Sequence, residues 1–161
     1  FSKSLTEAYR IGWALPGRYR DQVEKLKFLN TLTSPSIPQL AIAEFLERDG
    51  FEHHLRKVRK AYAQQANLMK AIVSRFFPEG TRMSNPAGGY VLWVELPPKV
   101  DAMRLYKLAL DQGITIGPGY MFSVSETTYR NFIRLNYSSP WSSEIEQAVI
   151  TVGKLAAICA R

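Results

Sequence analysis

The sequence predicts an α+β layered domain, in which helices pack on one side of an antiparallel sheet. Two observations lead to this class. Residues 51–77 carry apolar side chains at helical spacing over an unusually long stretch. Directly after it, residues 81–84 and 90–96 show the period of two that is typical of strands. Helices and short strands then alternate to the end of the chain, which indicates a mixed fold.

The first 50 residues are predicted to contain one strand and two helices. Residues 10–15 are a short apolar run ended by a Pro-Gly pair, which predicts a buried strand closed by a turn. Apolar residues spaced by three predict a helix over 21–32, and prolines separate it from a second helix over 39–47. Asp49-Gly50 is expected to end the second helix.

The long helix over residues 51–77 is predicted to have one buried stripe, with most basic residues outside it. The stripe consists of Leu55, Val58, Tyr62, Met69, Ile72 and Phe76. A glycine-containing link then joins the two predicted strands as a hairpin. Even and odd positions of residues 90–96 are both largely apolar, which indicates that both faces of this strand are partly covered.

The next segment is predicted to hold a helix and two strands. Asp101 caps the helix and Gly113 ends it. Strands are predicted over residues 114–116 and 132–137, with a compact turn over residues 117–119.

A closing helix is predicted from Ser143, where Glu146 stands at the spacing of a capping box. Its apolar residues form one stripe that faces the core, and they are Ile145, Val149, Val152, Ala156 and Cys159.

The composition is that of a soluble globular protein. Apolar residues make up 46% and charged residues 22% of the 161 residues, and no apolar stretch approaches the roughly 20 residues of a membrane-spanning helix. No secretory signal is visible. A single cysteine, Cys159, permits no disulfide within the chain, which favours a reducing, cytoplasmic location. Because the chain lacks an initiator methionine, we expect it to be a piece of a longer protein.

Metal binding and direct nucleic-acid binding are not favoured. His53 and His54 are adjacent, so on a helix their side chains point about 100° apart and do not chelate one ion. The net charge is +7, and the densest basic run covers residues 56–60. No recognisable DNA-binding motif or basic–aromatic interleaving accompanies this run, so we interpret it as a solvated helix face.

Residues 1–13 contain the side chains with the clearest chemical potential. Lys3 stands between two serines, and Arg10 follows seven positions later. A lysine amine can form a Schiff base with a carbonyl cofactor, and an arginine can hold a phosphate through paired hydrogen bonds. On these two residues alone, an exposed lysine and a strand-edge arginine are the simpler interpretation.

Four segments occur in the order of a known family. Phe1-Ser2-Lys3, followed by residues 9–13, resembles the Schiff-base lysine segment of fold-type I pyridoxal-phosphate enzymes, the aminotransferase class I and II superfamily. A serine that the family usually has just before the position of Phe1 is not in this sequence. Residues 88–93 resemble the family's Gly-Gly-aromatic strand, and residues 113–122 its turn before a phenylalanine. Residues 131–137 resemble the strand that carries its carboxylate-binding arginine.

Finer features are similar to one branch of the family. Residues 15–19, 38–46 and 54–62 resemble the MocR-type members of the GntR transcriptional regulators, which join a winged helix-turn-helix to an aminotransferase-like effector domain. The resemblance implies an α/β fold class: the α+β layered small domain of the fold-type I aminotransferase fold, with a remnant of the large-domain edge at the N-terminus. Residues 1–50 would be this remnant with linking helices, and residues 51–161 the long connecting helix and the small domain.

The resemblance implies three site residues. Lys3 would be the catalytic, cofactor-binding lysine that forms the Schiff base with pyridoxal 5'-phosphate, and Arg10 would pair with the cofactor phosphate. Arg134 would bind the α-carboxylate of an amino-acid substrate or effector. The family's other cofactor contacts would lie upstream of Phe1. We therefore expect the isolated chain to bind pyridoxal phosphate weakly or not at all and to lack transaminase activity.

Three functions remain open from the sequence. The favoured one is a homodimeric regulator that senses pyridoxal phosphate or an amino compound and contacts DNA only through an upstream domain. The second is an aminotransferase that acts on an amino acid and has no DNA-binding module. The third is a small self-associating interaction domain. The many apolar positions of residues 21–40 favour this interpretation.

Overall fold

The chain forms two compact units, Phe1–Val58 and Arg59–Arg161. The computed structural model describes residues 1–48, 50–125 and 128–161. The predicted helix end at Asp49 lies outside the described residues. One helix, α3 (Gly50–Phe76), continues from the first unit into the second and confirms the predicted long helix. The domain division at residue 50 stays a prediction.

Two helices follow the N-terminal loop in the first unit. α1 spans Arg20–Thr31 and α2 spans Ser36–Glu47, so both predicted helices are confirmed to within three residues at each end. Pro38 fits inside α2 because it lies in the first turn, where a backbone N–H has no helical partner. A short 3-10 helix, Gly17–Tyr19, precedes α1.

The predicted strand over residues 10–15 is wrong. This segment has no regular structure, and Trp13 and Leu15 leave 73% and 86% of their surface exposed. Arg10 has a φ of +51°, a left-handed conformation that interrupts an extended chain. A strand also needs a neighbour to pair its backbone N–H and C=O groups, and the described residues of the first unit contain no other strand.

The second unit is a four-stranded antiparallel sheet with helices on one face, which confirms the α+β layered class. The strands are β1 (Arg82–Met83), β2 (Val91–Glu95), β3 (Gly117–Pro118) and β4 (Phe132–Asn136), in the order β1-β2-β4-β3. The end of α3 packs on the sheet with α4 (Ala102–Leu110) and α5 (Ser143–Cys159). None of the described helices is long and apolar enough to cross a membrane.

The core lies between this sheet and the helices. Leu92 and Val94 of β2 and Ile133 of β4 are completely buried. Their neighbours Trp93 and Arg134 lie directly opposite each other across β2 and β4 and point to the other face. The helices complete the core with Met69, Ile72, Val73, Leu105, Ala109, Val149, Val152, Ala156 and Cys159. The predicted stripe of the closing helix is therefore confirmed.

Two predicted features between α4 and β4 are wrong. Residues 114–116 are not a strand, because the N–H of Ile114 donates to the carbonyl of Ala109 and so closes the end of α4. Gly113, with a φ of +72°, does end that helix as predicted. The strand β3 begins instead at residue 117, and a 3-10 helix over Gly119–Phe122 replaces the predicted compact turn.

The cap of the closing helix lies one residue earlier than predicted. Ser142 Oγ accepts the N–H of Ile145 at 3.3 Å, and Ser143 is already the first helical residue. Two consecutive serines precede the apolar stripe, so the sequence pattern alone did not distinguish the two caps.

Asp101 caps α4 and is expected to make its stability depend on pH. Its Oδ1 accepts the N–H groups of Met103 and Arg104 at 2.9 and 3.0 Å. The Arg104 N–H, with smaller contributions from Met103 and Arg130, holds the pKa of Asp101 below its ordinary value against the opposing effect of burial. This stabilisation is present above the unfolded pKa, near 4, and is lost as the pH falls through the lower folded pKa.

Variants of this cap test the assignment by urea unfolding. Asp101→Ala is expected to lower the free energy of unfolding by about 1 kcal/mol at neutral pH, because two N–H groups lose their acceptor. Asp101→Asn keeps a capping oxygen and is expected to lose mainly the pH dependence. Asp111→Asn, the same change at the other end of α4, serves as control. If Asp101→Asn and Asp111→Asn change the pH dependence of the free energy of unfolding equally, the capping role of Asp101 is contradicted.

Candidate cofactor and carboxylate site

The N-terminal loop folds back on itself and brings Ser2 to Arg10. The amino group of Phe1 donates to the carbonyl oxygen of Ile11 at 2.9 Å. Arg10 Nη1 donates to Ser2 Oγ at 3.2 Å. The left-handed backbone at Arg10 turns the chain at this point, and a strained backbone of this kind is often found at functional sites. A guanidinium and a hydroxyl therefore lie together next to Lys3.

Lys3 lies between two serines that are both held in place. Ser2 is bonded through its hydroxyl, and the carbonyl oxygen of Ser4 lies 2.9 Å from Nε2 of His54 on α3. Because a carbonyl oxygen only accepts, Nε2 of His54 carries the hydrogen in this contact. The His54 ring also packs edge-on against Phe45, with 6.2 Å between ring centroids. The loop that presents Lys3 is thus anchored to the long helix within the first unit.

Arg134 presents its guanidinium on the sheet face away from the helices. The side chain is exposed, and its guanidinium carbon lies 3.8 Å from the ring centroid of Phe122. Among the described residues, no carboxylate lies within 4.0 Å of this guanidinium. The arrangement suits an external carboxylate, because a planar carboxylate can accept two parallel hydrogen bonds from one guanidinium.

Four aromatic rings on the same side of the sheet form what we call the aromatic cluster: Trp93, Phe122, Tyr129 and Phe132. Trp93 stacks on Phe132 at 5.5 Å between centroids and meets Phe122 edge-on at 5.8 Å. Tyr129 meets Trp93 edge-on at 5.4 Å. The cluster forms an apolar wall beside Arg134.

A cavity of about 490 Å³ opens beside Arg134 within the second unit. Its lining is mostly apolar and includes Ile116, Met121, Phe122 and Val149. This size lies within the range that holds small-molecule ligands in proteins. Arg134 is a charged residue of this lining, and a cation beside an apolar cavity fits an organic carboxylate.

The three predicted site residues are divided between the two units. Lys3 and Arg10 share one loop of the first unit, while Arg134 lies on β4 of the second. Within the described residues, no three His, Cys, Asp or Glu side chains are grouped so that they could hold a metal ion. Sequence reasoning missed His54 and Phe122. The sequence gives no signal for the contact of His54, because its partner Ser4 is 50 residues away.

The helices and the small antiparallel sheet are those of an aminotransferase-like domain. The chain belongs to the aminotransferase class I and II family, whose family model it matches over residues 1–152. This match confirms the predicted family resemblance.

Similar proteins include regulators and aminotransferases. The HTH-type transcriptional regulator YdcR of Escherichia coli is 36% identical over 96% of this chain and 33% of its own length. The aminotransferase SSO0104 of Saccharolobus solfataricus is 28% identical over 95% of this chain and 38% of its own length. The chain therefore spans about a third of the curated relatives that it matches. The homology to MocR-type regulators predicted from the sequence is confirmed.

Solved aminotransferase structures have the same fold. Kynurenine aminotransferase of Pyrococcus horikoshii, determined in complex with PMP, superposes with a TM-score of 0.89 at 26% identity. The match covers all of this chain and 40% of that protein. The fold-type I aminotransferase fold is thereby confirmed.

Proposed function

We propose that the chain is the C-terminal part of a pyridoxal-phosphate-binding effector domain in a MocR/GntR-type transcriptional regulator. The observation that carries this proposal is the anchored loop in which Arg10 contacts Ser2 beside Lys3. The similarity to YdcR along nearly the whole chain supports the regulator over a free-standing enzyme. In this proposal, DNA is bound by an upstream domain and the effector is an amino compound or pyridoxal phosphate itself.

The side chains of the loop fit pyridoxal phosphate. A phosphate dianion favours a guanidinium and hydroxyl donors, and Arg10 and Ser2 offer both from adjacent positions. Lys3 supplies an amine, which must be unprotonated to bond to the cofactor's carbonyl carbon. When bound, pyridoxal phosphate supplies an electron sink for reactions of amino compounds. The role of this loop is to hold the phosphate and aim the amine.

Arg134 is proposed to bind the carboxylate of the amino compound. Its exposed guanidinium contacts the ring of Phe122, and Arg134 is among the residues that line the cavity in the second unit. A fork of N–H donors recognises the planar carboxylate that every amino acid carries, while the apolar walls accommodate carbon chains or rings.

Lys3→Ala in the full-length parent protein tests the lysine assignment. The visible absorbance band of the lysine-bound cofactor is expected in the parent and absent in the variant. Lys25→Ala, an exposed lysine on α1, is the matched control and is expected to keep the band. A band that persists in Lys3→Ala would overturn the assignment. The isolated 161-residue chain is expected to show little or no band.

A true aminotransferase is the alternative, and similarity to SSO0104 favours it. The two proposals share Lys3, Arg10 and Arg134, so these residues do not separate them. The sequence upstream of Phe1 in the parent does: the regulator requires a winged helix-turn-helix there. Turnover of an amino acid by a parent without that domain would decide for the enzyme.

Self-association is a further candidate, favoured by apolar side chains on the first unit. Large exposed residues occur along α1, α2 and their link, and they include Leu26, Phe28, Leu29, Ile37 and Leu40. Exposed apolar patches of this kind commonly mark an interface. We propose that this surface serves a homodimer. A clean monomer in sedimentation at high concentration would argue against it.

A further inference from the structure

We propose that Phe122 is a positioning residue that holds the guanidinium of Arg134 in the orientation that receives a carboxylate. The inference rests on the proposed carboxylate role of Arg134. It adds a residue from a different element, the 3-10 helix over Gly119–Phe122, to the binding site on β4.

The geometry is that of a close cation–π contact. The guanidinium carbon of Arg134 lies 3.8 Å from the Phe122 ring centroid, well inside the limit of about 6 Å for such contacts. A ring on one face of the guanidinium leaves its N–H groups directed outward in the plane of the group. Those N–H groups are the ones that form paired bonds with a carboxylate.

Gly117 makes room for the ring. A Cβ at this position would lie 3.1 and 3.2 Å from two ring atoms of Phe122, which is tighter than an ordinary contact. Gly117 is also paired with Arg134 across β3 and β4. The backbone of β3 therefore lies against the ring, and any larger residue would push the ring towards or away from the guanidinium.

Trp93 holds the ring from another side. It meets Phe122 edge-on with 5.8 Å between centroids and lies opposite Arg134 on the neighbouring strand. The ring is thus held by contacts with Gly117 and Trp93. An arginine side chain has many rotamers, and a fixed aromatic surface reduces those that it samples before the ligand arrives.

The aromatic face of Phe122, rather than its bulk, is what this role requires. Phe122→Leu keeps an apolar side chain but removes the ring, and it is expected to weaken carboxylate binding about tenfold. Phe122→Tyr keeps the ring and is expected to bind like the unchanged chain. Gly117→Ala keeps the phenylalanine but displaces its ring, and it is expected to weaken binding as well.

NMR titration of the 161-residue chain with pyruvate tests the proposal. Without ligand, the Nε–H resonance of Arg134 is expected to show an upfield ring-current shift that Phe122→Tyr retains and Phe122→Leu loses. The dissociation constant for pyruvate is expected to follow the same order. If Phe122→Leu does not fold, Gly117→Ala provides the same comparison.

The outcomes separate the two proposals. Two results would overturn the role of Phe122 alone. One is pyruvate binding without a ring-current shift at Arg134. The other is an equal dissociation constant for pyruvate in the unchanged chain and in Phe122→Leu. A ring-current shift with no pyruvate binding overturns the carboxylate role of Arg134, and the positioning role with it.

Discussion

Replacing Gly153 with alanine is expected to destabilise the protein by about 3 kcal/mol, the upper range for an overpacked core. Gly153 is buried in α5 where this helix crosses the end of α3. An added Cβ would lie 2.7 Å from the carbonyl oxygen of Phe76 and 2.8 Å from Cδ2 of Phe77. One of these atoms belongs to the backbone, so a rotamer change cannot relieve the clash.

Whether Gly153→Ala lowers or raises the free energy of unfolding distinguishes a closely packed helix from an open one. In an open helix, glycine to alanine stabilises by about 1 kcal/mol, because alanine loses less backbone entropy. Urea unfolding of the chain measures the change. Gly88→Ala is the control, since a Cβ there meets no atom within 4 Å, and it is expected to stay within about 0.5 kcal/mol. Stabilisation by Gly153→Ala would contradict the close approach of the two helices.

Replacing Arg134 with alanine is expected to weaken carboxylate binding about 100-fold, because two charge-assisted hydrogen bonds are lost. Arg134→Lys keeps the positive charge but not the planar fork, and it is expected to weaken binding about tenfold. Dissociation constants of the 161-residue chain for pyruvate measure both effects.

Arg130→Ala is the matched control for the arginine variants. It removes the same charge four positions away, from a side chain that pairs with Asp101 Oδ2 at 3.4 Å rather than with a ligand. Binding is expected to be unchanged, and only a small loss of stability is expected because the pair is exposed. Equal losses in Arg130→Ala and Arg134→Ala would show that Arg134 acts only through net charge.

The helices were predictable because their signals are local. The apolar stripe of α3, the Asp101 cap and the Gly113 end all lie within a few residues of the elements that they define. Strands were less predictable because a strand exists only where a neighbour pairs with it. Residues 10–15 are apolar enough for a strand but have no strand partner among the described residues of the first unit, whereas Gly117 and Pro118 pair with β4 despite a turn-like sequence.

The sequence by itself determined the layered fold class, the family resemblance and three proposed site residues, Lys3, Arg10 and Arg134. These depend on residue types in a fixed order along the chain. Only the tertiary structure revealed that His54 anchors the loop of Lys3 and that Phe122 stacks on Arg134. Those contacts join separate elements, and their physical basis is the packing of α3 on the loop and of the 3-10 helix against β4. Both residues lie in segments that resemble the family, but nothing in the sequence pattern indicates which residues they contact.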